Sequence, residues 1–167
     1  MKRLFLLRHV KSSWDDAMLD DHERPLAPKG RRIAEQLCRY LLDQEISPAL
    51  VLCSSALRTR QTLAELMPAI RAEATLRIER GLYGADAEAL LRRIREVPEA
   101  APTIMVIGHN PGMQDLAGRL AAGGAKASEI EESYPAGALA IFYVENGWSG
   151  LDARSATISA FVMPRDL

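Results

Sequence analysis

The chain reads as an α/β protein of three layers, a mostly parallel central sheet with helices on both faces. Three observations predict this. Short runs that stay apolar, Arg3 to Leu7, Ala49 to Cys53 and Thr103 to Ile107, recur along the chain. The stretches between them carry apolar residues at helical spacing, and prolines and glycines mark the junctions. Uninterrupted apolar runs belong to strands covered on both faces, and repeated strand–helix alternation pairs such strands in parallel.

Taken in order, Arg3 to Leu7 predicts the first strand, and Pro28 to Leu42 a helix with Ile33, Leu37, Cys38 and Leu41 on one face. Pro28 suits the first helical turn, where its missing N–H costs nothing. Ala49 to Cys53 predicts a second buried strand, followed by a helix from Ala56 to Met67 that Pro68 terminates. A short strand is expected over Leu76 to Ile78. Asp86 to Val97 places Leu90, Leu91, Ile94 and Val97 on one helical face, and Pro98 and Pro102 break the chain before the strand Thr103 to Ile107. Asn110 is expected to cap the next helix, with Pro111 at its first position, Met113, Leu116, Ala117, Leu120 and Ala121 inward, and Gly123-Gly124 as its stop. Ala138 to Val144 and Ala156 to Met163 form a strand pair joined through Asn146-Gly147. Lys11 to Ala27, Gly123 to Gly137 and Glu145 to Ser155 remain as loops. None has room for a large lid.

At 167 residues and 48% hydrophobic content, a single domain over 1–167 is expected. No apolar stretch approaches the ~20 residues of a membrane helix. The start, Met1 to Leu7, is charged too early for a signal peptide, so a cytoplasmic location is expected. Cys38 and Cys53 have no metal spacing and read as buried small hydrophobes. A net charge of -1 gives no broad field to attract nucleic acid or an anionic membrane, so neither is expected as a partner. Any anion must be captured locally.

Three separated stretches supply the means. His9 and His109 each follow an apolar run, and in α/β sheets ligands bind at the carboxyl ends of strands. Arg8 adds a planar fork of donors suited to phosphate oxygens. Arg58 falls in the first turn of a predicted helix, where the macrodipole disfavours a cation by roughly 0.3–1 kcal/mol. Something anionic should offset that cost. The same helix start, capped by Ser54 or Ser55, is a natural phosphate seat. A neutral imidazole whose second nitrogen is held by a carbonyl is a competent nucleophile toward phosphorus.

Competing chemistries lack their motifs. Four residues separate Cys53 from Arg58, one short of the spacing that cysteine-dependent phosphatases use. No glycine-rich nucleotide loop and no His-Glu-x-x-His occurs. The acidic run Asp15 to Glu23 matches no calcium loop, and no metal is expected.

Four blocks carry a resemblance along nearly the whole chain: Leu7-Arg8-His9 with Lys11-Ser12-Ser13-Trp14; Asp21 to Leu26 with Lys29-Gly30; Ser54 to Thr62; and Gly108 to Gly112. In them the sequence resembles the histidine phosphatase superfamily, and within it the small SixA-type phosphohistidine phosphatases. The resemblance implies a phosphoglycerate mutase-like fold and a metal-independent hydrolase without cofactor. In it His9 attacks phosphorus and becomes a phosphohistidine, while Arg8, Arg58 and His109 hold the phosphoryl oxygens. Ser12, Asn110 and Arg24 are further candidate phosphate-binding residues, and Arg24 alternatively braces its loop.

Two departures accompany it. Val10 stands where relatives usually have glycine or alanine, which is acceptable if the strand runs one residue further. Gly81 aligns where many relatives place an acid. Glu79 and Asp86 are then candidate general acids, as are Asp15, Asp16, Asp20 and Asp21 on the first loop, with Glu79 and Asp15 put first. The alternative is that these acids form a solvated face. A missing acid and a missing lid suit a phosphohistidine protruding from a protein partner, with inorganic phosphate as product. The alternatives are a broad phosphomonoesterase of small phosphate esters and a non-catalytic module binding phosphate or a phosphoprotein.

Overall fold

The computed structural model describes residues 1–167. Its strands are β1 (Lys2–Arg8), β2 (Leu50–Ser54), β3 (Thr75–Glu79), β4 (Thr103–Gly108), β5 (Leu139–Val144) and β6 (Ala156–Val162). Its helices are α1 (Pro28–Asp43), α2 (Leu57–Leu66), α3 (Ala87–Arg95), α4 (Gly112–Leu120) and α5 (Ala125–Glu132). The strands form one six-stranded sheet in the order β3-β2-β4-β1-β5-β6. Strands β3, β2, β4 and β1 are parallel, while β5 and β6 return antiparallel.

The period-2 alternation of a strand explains the layers. Leu4, Leu6, Leu52, Ile104 and Val106 point to one face, where they pack with Leu90, Leu91 and Ile94 of α3, Leu116 of α4 and Ile130 of α5. Phe5, Leu7, Val51, Cys53, Met105 and Ile107 point to the other, against Leu37 and Leu41 of α1 and Leu63 and Leu66 of α2. Both cysteines are buried and unpaired. No helix is long and apolar enough to cross a membrane.

Several expectations need correction. Helix α4 begins at Gly112 with Pro111 at its cap position, so Asn110 is not the cap. The Asn110 side chain is drawn instead to the Tyr134 carbonyl at 2.9 Å, and its Oδ1 accepts from the Gln114 N–H at 3.2 Å. The helix ends at Leu120, ahead of the glycines, where Ala121 bridges to Ala156 at the start of β6. Gly123 and Gly124, with φ of 109° and 100°, turn the chain into α5, an element the sequence did not signal. Only Ala127 and Ile130 of α5 are buried, too few for an apolar stripe to be read. Helix α2 is capped by Ala56, not by either serine. Strand β1 stops at Arg8, and Val10 lies beyond it, fully buried beside Leu26 and Ala34 with its N–H on Thr62 Oγ1 at 3.2 Å.

One close approach fixes the segment after β1. A Cβ at Gly30 on α1 would lie 2.1 Å from the Lys11 carbonyl oxygen, a main-chain atom that cannot swing aside. That carbonyl also accepts the Ala27 N–H at 3.0 Å. Gly30→Ala is therefore expected to cost about 1–3 kcal/mol as overpacking, lowering the melting midpoint by on the order of 5 °C in a circular-dichroism scan.

Candidate active site

Sheet pairing brings the two histidines together. Strands β1 and β4 are adjacent and parallel, with Arg8 opposite Gly108, so the next residues leave the sheet side by side. The His9 N–H donates to the Gly108 carbonyl at 3.1 Å, and the His9 and His109 rings lie 5.3 Å apart between centroids. Strand β2, on the other side of β4, ends at Ser54, whose Oγ is 2.7 Å from His109 Nε2. Arg58 enters from the first turn of α2. Arg8, His9, Arg58 and His109 line one cavity of about 320 Å³, and Ser12, Arg24 and Asn110 line it too. Lys11, Trp14, Asp21 and Ala136 complete the wall.

Protonation in this cavity follows from its contacts. His9 Nδ1 lies 2.7 Å from the Val10 carbonyl, which can only accept, so Nδ1 carries the proton and Nε2 bears the lone pair. Burial pushes His9 down to about 3 against the pull of that carbonyl, and His109, Arg58 and Arg8 add repulsion. His109 is lowered to about 4, first by burial and then by Arg58. Ser54 Oγ accepts the Ala56 N–H and lies 2.7 Å from His109 Nε2; when the hydroxyl donates to Nε2, the ring proton sits on Nδ1. Both imidazoles are neutral at pH 7.

The cavity also holds unpaired nitrogens. Three buried side-chain nitrogens lack a hydrogen-bond partner, and two of them, Arg8 Nε and His109 Nδ1, belong to residues of this cavity. Arg8 uses Nη1 on the Tyr134 carbonyl at 3.0 Å, and burial followed by the neighbouring Arg58 lowers its affinity for a proton. Unsatisfied donors of this kind cost about 1–3 kcal/mol each, a cost that a bound oxyanion would remove.

Arg58 has already found a counter-charge. Its Nη1 donates to the Asp21 carbonyl at 2.7 Å and its Nη2 to Asp21 Oδ2 at 3.1 Å. This carboxylate is the anion that an arginine at a helix start requires. Asp21 also accepts from Arg24 Nη1 at 3.0 Å and from the Tyr83 hydroxyl at 2.5 Å. Those donors, Tyr83 foremost and then Arg58 and Arg24, hold it down to about 2. It is ionised at neutral pH and has no proton to give.

The sequence offers Asp21 as one of several loop acids, either a general acid or part of a solvated face, and gives Tyr83 no role. The structure puts Asp21 in the cavity wall as an ionised partner of Arg58. The available signal was Arg58 itself, whose position demanded an acid nearby. The two acids favoured instead are elsewhere. Glu79 is held by Arg93 through two bonds of 2.7 and 2.8 Å, which keep its carboxyl below the usual range, and it does not line the cavity. Asp15 is exposed and also outside the cavity wall. Arg24 braces its loop: Nη2 bonds Ser12 Oγ at 2.6 Å and Nε the Ser13 carbonyl at 3.0 Å. Ser12 and Asn110 sit in the wall with their side chains engaged by Arg24 and by Tyr134.

The depressed imidazoles set an acid-side loss of stability. An unfolded histidine titrates near 6.5, while folded His109 and His9 do so only near 4 and 3. Below about pH 6.5 the unfolded chain binds more protons, so stability falls until the folded values are passed. At pH 5 the loss is about 2 kcal/mol for each ring. Urea unfolding at pH 7 and pH 5 should show it, and the double variant His9→Gln, His109→Gln should lack most of that difference.

Comparison with known proteins agrees with this geometry. The family model of the histidine phosphatase superfamily (branch 1) matches residues 4–110. The uncharacterized Mycobacterium tuberculosis protein Rv1276c (strain ATCC 25618 / H37Rv) is 34% identical over 163 residues, 95% of this chain and the whole of that protein. Among solved structures, a candidate phosphohistidine phosphatase SixA from Nakamurella multipartitia superposes with a TM-score of 0.87 at 28% identity, covering 98% of this chain and 96% of its own. Another from Agrobacterium tumefaciens gives 0.83 at 26%, covering 98% of both chains. These likenesses extend to the phosphoglycerate mutase-like arrangement of sheet and helices. With the matched segment running from β1 through the residues that follow β4, this chain belongs to the histidine phosphatase superfamily, branch 1.

Proposed function

We propose that this protein removes the phosphoryl group from a phosphohistidine on a partner protein, by way of a covalent intermediate on His9. The observation that carries the reading is the bond from His9 Nδ1 to the Val10 carbonyl, which leaves Nε2 unprotonated beside Arg8, Arg58 and His109. In the first step His9 Nε2 forms a bond to phosphorus as the bond to the leaving nitrogen breaks. That nitrogen keeps the electron pair and remains as a neutral imidazole when its other nitrogen carries the proton. In the second step a water oxygen attacks phosphorus, the pair returns to Nε2, and inorganic phosphate is released as the water's proton passes to phosphate oxygen or solvent.

Arg8 and Arg58 face the charge on the phosphoryl oxygens, and His109 Nδ1–H supplies a neutral donor. The scheme uses neither metal nor cofactor. Asp21 supports this choice of leaving group. It is the only carboxylate in the cavity wall, and with a value of about 2 it cannot protonate a departing alkoxide. A phosphohistidine whose second ring nitrogen already carries a proton releases a neutral imidazole without such help.

The test is to incubate the protein with a phosphorylated histidine phosphotransfer domain and measure released phosphate beside a panel of simple phosphate esters. Fast release from the domain with slow turnover of alkyl phosphates is expected. Inertness toward the domain with ready ester hydrolysis would make the chain a phosphomonoesterase. Phosphate retained without turnover would make it a binding module.

A further inference from the structure

The mouth of the cavity carries one large aromatic side chain, that of Trp14, and it is 75% exposed. A tryptophan offers one of the largest apolar areas available to burial, and a core site would use it. Here one face of the indole is taken. The Arg24 guanidinium carbon stands 3.1 Å from the ring centroid. Arg24 is itself only 6% exposed and is pinned by Ser12 Oγ, the Ser13 carbonyl and Asp21 Oδ1. The ring therefore rests on an anchored cation with its remaining surface open to solvent.

We propose that Trp14 determines specificity: its open face receives the planar leaving group of the substrate, imidazole or aryl, once the phosphoryl group is seated among Arg8, Arg58 and His109. The placement of the phosphoryl group rests on the function proposed above. The stacking preference is argued from the mouth of the cavity.

Two features make the ring a preset platform. Asp21 bonds Arg24, which backs the indole, and also Arg58, which faces the phosphoryl position. One carboxylate thus ties the distance between platform and phosphoryl site. Because Arg24 orients the ring before any ligand arrives, stacking requires little further ordering, and preorganisation of this kind favours binding. A flat π-system gains from offset contact with an indole, whereas an alkyl group of similar reach gains only area. A tryptophan serving merely as a cover for Arg24 would stabilise the loop and show no such preference.

Phosphonates, which are not hydrolysed, separate these accounts without relying on turnover. Wild-type protein is expected to bind phenylphosphonate about tenfold more tightly than methylphosphonate by calorimetry. Trp14→Phe should retain most of that preference. Trp14→Leu, which keeps an apolar cover over Arg24 but no π-face, should reduce it to twofold or less. Equal affinity for both phosphonates in the wild type, or a preference that survives in Trp14→Leu, overturns the proposal. Inertness toward the phosphorylated domain would instead defeat the phosphohistidine reading while the phosphonate preference stood.

Discussion

His9→Ala is expected to abolish turnover, with phosphate release falling by at least ~10⁴-fold, because no second nucleophile faces the same position. His109 is the only other imidazole in the cavity wall, and its Nε2 is occupied by Ser54 Oγ. The covalent intermediate provides the sharper readout. Wild-type protein mixed with labelled substrate and quenched in base should carry label, since a phosphoramidate survives alkali and is lost in acid, and His9→Ala should carry none. Label on the variant would move the nucleophile elsewhere. Retained turnover without label would replace the two-step scheme with direct attack by water. A thermal scan guards against a trivial result, because the alanine leaves a small hole at a residue 7% exposed.

Arg58→Ala is expected to lower kcat by ~10²–10³, the usual effect of deleting one preorganised donor to a developing oxyanion. The variant also leaves the Asp21 carboxylate beside the phosphoryl group with only one of its two arginine partners, so KM should rise as well. Arg58→Lys should recover only part of the loss. An ammonium is a point charge and cannot bridge the Asp21 carbonyl and carboxylate while presenting further N–H groups to phosphate. Asp21→Asn completes a double-mutant cycle. If Asp21 serves to aim Arg58, its effect should largely vanish in the Arg58→Ala background, whereas independent roles would give additive losses. Steady-state kinetics on the four proteins decides between them.

Most of the sheet was legible because its buried strands are apolar on both faces and its helices carry clear stripes. His9 and His109 were legible as a pair for the same reason: each follows such a run, and parallel strands bring their ends together. Helix α5 was not, since two buried residues make no pattern. The hub at Asp21 was hidden for a different cause. Besides Arg24 on its own loop it joins Arg58 and Tyr83 from two distant segments, and only the fold of the 11–27 loop brings those two within bonding distance. Glu79 looked suitable by its nearness to the aligned gap, yet Arg93 on α3 claims it. Sequence proximity to a motif says little about a side chain when a neighbouring helix offers a bidentate partner.

The spacing of the two imidazoles has a simple origin. Neighbouring strands lie about 4.8 Å apart across a hydrogen-bond ladder, and the ring centroids that emerge from β1 and β4 are separated by 5.3 Å. The ladder acts as a ruler, handing the reaction centre a length that no individual side chain has to define. Slipping β1 by one position would flip Phe5 and Leu7 to the opposite layer, so the calibration of the chemistry is defended by the whole hydrophobic interior.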